Sequence, residues 1–423
     1  MILYNLLLFL LGPLSVPVFF KKKHRGSLKR KFGIYPCNFL DNCTGKPRIW
    51  VNAVSVGEVA GVSSIVKAVK KVYPDSSIII STGTETGQEV AHQLIKEASC
   101  YIYFPLDIPW IAKKMLAAIQ PDLFITAETE IWPNFMCYAR KMGVKTMLVN
   151  GRISDRSIKK YYMGRRIFAK VLGCFDCLSM ASEIDSDRIK MVGAPDEKVF
   201  VTGNSKFDTL IDVTSPLYES EVRENLNIGE GEDVFIAASI HPGEDKPVIA
   251  SYKMLLEKFP ELILIIAPRH IERSPDIEKL LKACGFSCYL YSENRSREKT
   301  ERVIIVDVIG ELFKIYSVGT IVFCGGSLVP KGGQNILEPA AWGKVVLYGS
   351  SMEDFLEGKK LLEDAGAGHV VRSSNDIVNI SENFLKNPEE REDKGNAGRE
   401  AILKKAGAAS RNAEMAKYLI EKK

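Results

Sequence analysis

Two doubly wound α/β domains facing a cleft are predicted for this chain, and three features predict them. Short apolar, β-branched runs alternate with stretches of helical periodicity along most of the sequence, which is the pattern of βαβ units and a parallel sheet. A polar stretch, Thr214–Asp233, carrying Pro216 and Gly229-Glu-Gly231, interrupts that series, and a second one follows. The 423 residues also exceed what one ordinary core accommodates. The boundaries read as 1–42 for an apolar and basic N-terminal segment, 43–213 for the first domain and 214–423 for the second. A polar last helix near Ala401–Lys423 suits packing on either domain.

In the first series, Ile49–Val54 reads as strand and Ser55-Val-Gly-Glu58 as the turn into a helix with Val62, Ile65, Val66 and Val69 on one face. Ile78–Ser81 follows and leads into Thr82-Gly-Thr-Glu-Thr-Gly87, and Tyr101–Phe104 is a further short strand. Pro121–Glu128 ends on a carboxylate, Lys145–Val149 precedes Asn150-Gly-Arg-Ile-Ser154, and Leu178–Ala181 and Val199–Gly203 complete the domain. The second series runs Val234–Ala238, Leu262–Ala267, Ser287–Tyr291, Val303–Val306, Val318–Cys324 and Val345–Tyr348. Ligands of such sheets bind beyond the carboxyl ends of the strands, so the loops there are the candidates for chemistry.

Composition narrows the partners. Hydrophobic content of 46% with 26% charged residues is that of a globular protein. The net charge is +5, yet Met1–Leu40 alone holds seven Lys/Arg and no acid, leaving −2 for the rest. The body is therefore not broadly basic, no nucleic-acid motif is present, and no nucleic-acid partner is expected. Met1–Phe20 is uncharged and apolar; twenty helical residues reach about 30 Å, enough for a bilayer core. Pro13 and Pro17 weaken that helix and leave a span or an interfacial anchor open. Basic residues follow the apolar run instead of preceding it, which argues against a cleaved signal and places the body on the cytoplasmic side of a membrane. Nine scattered cysteines, with a lone Cys174-Phe-Asp-Cys177, and five separated histidines read as reduced thiols, with neither a structural metal nor a cofactor.

Several residues sit where chemistry is expected. Glu58 follows a strand and a glycine at a helix start, where the dipole holds a carboxylate ionised for use as a base; an ordinary first-turn Glu is the plainer alternative. Glu128 and Glu130 end a strand of the same domain and are equipment for a positive, oxocarbenium-like transition state, unless one of them merely caps a helix. Lys206 follows the last strand of that domain, where a cation neutralises a departing phosphate. In the second domain Arg269 comes after a strand and Pro268, an address for a phosphate contact or a surface ion pair. Gly310-Glu311 opens a further helix. Within Val318–Gly349 a glycine-rich turn, Pro330–Gly333, precedes Asn335, placed like an N-cap, with Glu338 three residues on and Pro339 in the first turn. Such a turn suits an anion, and Glu338 a sugar hydroxyl pair. The stretch from Arg152 to Lys170 interleaves Arg156, Lys159, Lys160, Arg165 and Arg166 with Tyr161, Tyr162, Ile167 and Phe168, a face suited to an anionic membrane surface or simply a solvated one.

Taken together the motifs resemble the 3-deoxy-D-manno-octulosonic acid (Kdo) transferases of lipopolysaccharide synthesis. They run in order from about Trp50 to Gly349: Ser55-Val-Gly-Glu58, Thr82-Gly-Thr-Glu-Thr-Gly87, Glu128-Thr-Glu-Ile-Trp-Pro133, Asn150-Gly-Arg-Ile-Ser154 and Gly203-Asn-Ser-Lys-Phe-Asp208 in the first domain. The second domain adds His241-Pro-Gly-Glu244, Pro268-Arg-His-Ile-Glu-Arg273, Gly310-Glu-Leu312, Gly325-Gly-Ser-Leu-Val329 and Gly332-Gly-Gln-Asn-Ile-Leu-Glu-Pro339. The resemblance implies an inverting GT-B glycosyltransferase with Rossmann-like domains. It also implies a bacterial inner-membrane location on the cytoplasmic face. Its donor would be CMP-Kdo and its acceptor the tetra-acylated disaccharide bisphosphate precursor of lipid A (lipid IVA). It implies Glu58 as proton acceptor, Glu128 and Lys206 as transition-state stabilisers, and a CMP site of Pro268, Arg269, Ile309, Gly310, Glu311, Asn335, Ile336, Leu337 and Glu338. Gln334 and Asn52 stand where members commonly carry His. Two other readings accompany this one: a transferase or epimerase acting on another nucleotide sugar, and a membrane-tethered nucleotide sensor that needs no Glu58.

Overall fold

The computed structural model describes residues 4–6, 8, 25–212, 214–293, 298 and 300–422. The expected apolar anchor, Met1–Phe20, lies almost wholly outside the described residues. Among those described, no helix is long and apolar enough to cross a membrane.

The chain divides into two units, Met1–Thr209 with Lys405–Lys423, and Leu210–Lys404. The first is built on seven parallel strands: β1 (Arg48–Asn52), β2 (Ser77–Thr82), β3 (Cys100–Tyr103), β4 (Leu123–Ala127), β5 (Lys145–Gly151), β6 (Cys177–Met180) and β7 (Val199–Val201), in the order β3-β2-β1-β4-β5-β6-β7. The strands β1, β2, β4, β5 and β6 are buried on both faces, as helices on either side of a parallel sheet require. On one face Trp50, Phe104, Phe124 and Phe135 form an aromatic core, with Trp50 edge-on to Phe135 at 5.1 Å and Phe124 4.5 Å from Phe135. On the other face, helix Val56–Val72 lays Val59, Val62, Ile65, Val66 and Val69 onto the sheet.

The last helix, Ala408–Glu421, also belongs to that second face: Ala409, Ala413, Ala416 and Leu419 are buried there. Asn412 is fully buried and takes Ser179 Oγ at 2.6 Å on its Oδ1. The expected assignment of 405–423 to the second domain is therefore corrected. The helix is polar outside, but its small residues recur at helical spacing and join the same apolar cluster as Val59–Val69.

The second unit repeats the architecture with β8 (Val234–Ile240), β9 (Ile263–Pro268), β10 (Cys288–Leu290), β11 (Val303–Ile305), β12 (Ile321–Cys324), β13 (Val345–Tyr348) and β14 (Gly368–Val370), ordered β10-β11-β9-β8-β12-β13-β14 and all parallel. The stretch expected as a linker is instead largely structured. Pro216–Asn225 is a helix with Pro at its start, and Val222, Leu226 and Ile228 are buried within the second unit. Pro pre-sets the first turn and apolar side chains four apart share a face, so local sequence outweighs the polar composition.

Each sheet reverses its direction of growth once. In the first unit the reversal falls between β1 and β4, and in the second between β8 and β12. The crevice at such a switch point, at the carboxyl ends of the strands, is where ligands of this architecture bind.

Candidate active site

In the first unit the switch point gathers the expected residues. Ser55 caps helix Val56–Val72: its Oγ accepts from Glu58 N at 3.3 Å, while Glu58 reaches back. Glu58 Oε1 accepts from Ser55 Oγ and Oε2 from Val54 N, both at 2.9 Å. This is a capping box, which fixes the carboxylate to the loop after β1. Glu58 is 8% exposed. Burial, the largest influence, raises its pKa above the ordinary value; the bonds to Val54 and Ser55 oppose the shift, and the charge of Glu128 adds to it. Desolvation thus works against the N-terminal donors that favour the ionised carboxylate, and it is the larger of the two influences.

Glu128 sits one residue beyond β4 with φ +52, a left-handed conformation that is costly for a residue with a Cβ and recurs at functional sites. Its Oε1 accepts from Lys206 Nζ at 2.7 Å. Lys206 is held from beneath by a buried network. Asn150, with φ +52, accepts from Ser205 N at 2.9 Å and donates to Ser205 Oγ at 2.8 Å, while Ser205 Oγ donates to Gly61 O. The Lys206 stem lies against the helix at Gly61, where an added Cβ would sit 3.2 Å from Asn150 Nδ2 and 3.4 Å from that stem. Glu130 is pushed up to about 7 by burial, by Glu58 and by Glu128.

A buried polar chain underlies these carboxylates. Trp50 Nε1 donates to Ser81 Oγ, Ser81 Oγ to Asn52 Oδ1, Asn52 Nδ2 to Thr126 Oγ1, and Thr126 Oγ1 to the Glu130 carbonyl, at 2.8, 2.9, 3.3 and 3.2 Å. Asn52 is a fully buried link in it. Neither Glu128 nor Glu130 caps the next helix, Pro133–Lys141. Asp107 does so from a distance, accepting from Asn134 N at 3.0 Å and Phe135 N at 2.7 Å. Asn150 and Ser205 figure in the sequence only inside motifs, and Asp107 and Thr126 carry no assigned role there; buried polar residues are recognised by their partners, and those lie far along the chain.

In the second unit the remaining expected residues surround the switch point, with differences of detail. Pro268 ends β9, and the exposed Arg269 follows it, its N donating to Ile240 O at 3.0 Å. Gly310 takes φ +99 before a helix of only one turn, Leu312–Ile315, and Ile309 is 84% exposed. Asn335 is not the N-cap: the helix is Leu337–Ala341 with Ile336 in that role. Asn335 Oδ1 still accepts from Leu337 N at 3.3 Å, and its Nδ2 donates to Glu338 Oε1 at 3.0 Å. Burial pushes Glu338 up to about 6. Gly332 and Gly333 both adopt positive φ, and a Cβ on either would strike Asp354 or Met352.

The dominant feature here was not singled out beforehand. Glu244 is fully buried. Its Oε2 accepts from His241 N at 2.8 Å and Gly326 N at 2.7 Å; its Oε1 accepts from Ser327 N at 3.0 Å and Leu328 N at 2.9 Å. One carboxylate thereby ties the loop after β8 to the loop after β12. Gln334 Nε2 lies 3.4 Å from His241 Nε2.

The basic stretch of the first unit forms helices Asp155–Met163 and Arg165–Leu172. Tyr161 and Phe168, expected on the outward apolar face, pack against the core instead. Tyr162 and Met163 are exposed among Lys159, Lys160, Arg165, Arg166 and Lys170, and the Arg165 guanidinium stacks on Tyr162 at 4.9 Å. Among the described residues no group of three or more His, Cys, Asp or Glu is placed to hold a metal ion.

Two parallel α/β units, each with a switch point of its own, make a GT-B-like fold. UDP-GlcNAc 2-epimerase from Neisseria meningitidis shares this fold with a TM-score of 0.60 and 14% identity, covering 89% of this chain and 100% of its own. A glycosyltransferase from Rickettsia africae does so with 0.59 and 13%, over 89% and 100%. A 3-deoxy-D-manno-octulosonic acid transferase of Haemophilus influenzae is 31% identical over 418 residues, 99% of this chain and 96% of that protein. The family description 3-Deoxy-D-manno-octulosonic-acid transferase (kdotransferase) matches residues 26–209. The chain belongs to the 3-deoxy-D-manno-octulosonic acid transferase family.

Proposed function

We infer that the protein transfers Kdo from CMP-Kdo to the tetra-acylated disaccharide bisphosphate precursor of lipid A, with inversion at the anomeric carbon. Glu58 is the proton acceptor. One observation carries this reading: a buried carboxylate held by Val54 N and Ser55 Oγ at the same switch point as the Glu128–Lys206 ion pair. A carboxylate tuned upward is a better base near neutral pH, and its two hydrogen bonds to Val54 and Ser55 leave lone pairs for a substrate hydroxyl.

In the proposed reaction Glu58 removes the proton of a primary alcohol as its oxygen attacks the anomeric carbon and the bond to the CMP phosphate breaks. Glu128 stabilises the positive sugar. Lys206 exchanges its contact with Glu128 for the negative charge of the departing phosphate, a trade between two anions that costs little while both are near. Arg269, Ile309–Glu311 and Asn335–Glu338 are assigned to CMP. An anionic inner-membrane surface supplies the lipid acceptor on the cytoplasmic side, in keeping with the basic residues exposed around Met163.

The test is incubation with CMP-Kdo and the lipid precursor, with products resolved by mass, alongside binding of CMP against UDP. Kdo addition and preference for CMP are expected. UDP preference without Kdo transfer would favour the reading as an enzyme of another nucleotide sugar.

A further inference from the structure

Glu244 limits what the second unit can do with an anion. Three successive N–H groups after β12, at Gly326, Ser327 and Leu328, resemble a phosphate cradle. All three already donate to Glu244, which also accepts from His241 N. A phosphate would compete with that carboxylate for the same donors and be repelled by its charge. Leu337 N, at the start of the next helix, is likewise taken by Asn335. Anions in this crevice must therefore be met largely by side chains.

Suitable side chains converge on it. His241 follows β8 directly, 3.4 Å from Gln334 and with its ring 6.0 Å from that of His270, edge to face. Arg269 is seated beside it by the bond from its N to Ile240 O. Lys331 belongs to the loop after β12, which is pinned by Gly333 N donating to Gly326 O at 2.8 Å; a Cβ on Gly326 would lie 3.1 Å from the His241 ring. Burial lowers the His241 pKa, Glu244 opposes this, and His270, Arg269 and Lys331 lower it further. Glu244, the acid acting on His241, has its oxygens committed to the four N–H groups.

His241, its pKa lowered, serves as a neutral hydrogen-bonding group, and the cations are Arg269 and Lys331, two where one phosphodiester carries a single charge. A donor made of CMP and a 2-keto sugar acid carries a second anion, the carboxylate beside the anomeric carbon. We propose that Lys331 and His241, with Gln334 beside them, receive that carboxylate while Arg269 holds the phosphate, so that the second unit selects a sugar acid over a neutral sugar on the same nucleotide. Lys331 is exposed and offers three donors on a flexible stem, which suits a point contact to a carboxylate oxygen. The assignment rests on the CMP-Kdo reading above.

Calorimetric titration of the full chain with CMP and with CMP-Kdo, without acceptor, tests it. The unaltered protein should bind CMP-Kdo more tightly than CMP. Lys331→Met, at an exposed position that leaves folding intact, should weaken CMP-Kdo by about tenfold or more, as loss of a charge-assisted bond does, and CMP by less than about threefold. His241→Gln should show the same selectivity to a smaller degree. Equal losses for both ligands, or no loss in Lys331→Met, would overturn the carboxylate receptor. Failure of the unaltered chain to bind either ligand would remove the donor reading itself, and this inference with it.

Discussion

Glu58 serves two purposes that oppose each other. Its capping-box bonds favour the ionised form, and its burial beside Glu128 favours the neutral one. Glu58→Gln keeps the size and one acceptor but removes the base, so the transfer rate should fall by at least about a hundredfold, the usual worth of a positioned base. Affinity for CMP should be unchanged, and steady-state rates with a binding titration check both. Glu130 gives a pH test. Its folded pKa of about 7 lies above the ordinary carboxylate value. Its favourable contribution is therefore fully present below about pH 4.5 and is lost as pH rises through about 7. Relative to the unaltered protein, Glu130→Gln should gain melting temperature at pH 8 and gain little or none at pH 5; a constant difference would contradict the shift. At this scale the charged residues were legible because short motifs mark strand ends. The rise of Glu58 was not, because desolvation depends on what covers a side chain.

At the scale of elements, the strands were the most legible feature. Among the described residues thirteen of the fourteen follow from apolar runs; the central strands are buried on both faces and need no alternation, and β7, though largely exposed, is still marked by Val199-Phe-Val201. The exception is β14, three residues at a sheet edge that include a glycine and His369 and are only partly buried, so neither length nor apolarity marks them. The Asn335 turn was misjudged by one residue: Asn335 serves Leu337 and Glu338 through its side chain without being the N-cap. Glu244 was quoted only inside a motif, though its four bonds hold two loops together. Glu244→Gln turns one acceptor into a donor facing N–H groups. About 2–3 kcal/mol of stability should be lost from the second unit, read as a lower denaturant midpoint of one transition.

Across the whole molecule, each unit carries one switch point with its own chemistry: carboxylates and a lysine in the first, cations around a buried carboxylate in the second. The division of the chain at about residue 210 follows from two successive strand series. The return of Ala408–Glu421 to the first unit does not, because a polar helix with a narrow small-residue face suits either sheet until its partner is known. Truncation after Lys404 should open the apolar cluster that Ala409, Ala413, Ala416 and Leu419 share with helix Val56–Val72 and abolish the first unit's unfolding transition while sparing the second's. Two transitions surviving in the truncated chain would contradict that packing. The account's central claim is that a carboxylate on the first unit frees an alcohol to attack a CMP-bound Kdo, and the most direct measurement of it is product mass after incubating CMP-Kdo and the lipid precursor with the unaltered protein and with Glu58→Gln. The account predicts Kdo addition by the first and little or none by the second, which still binds CMP. Equal rates of addition by both would contradict it.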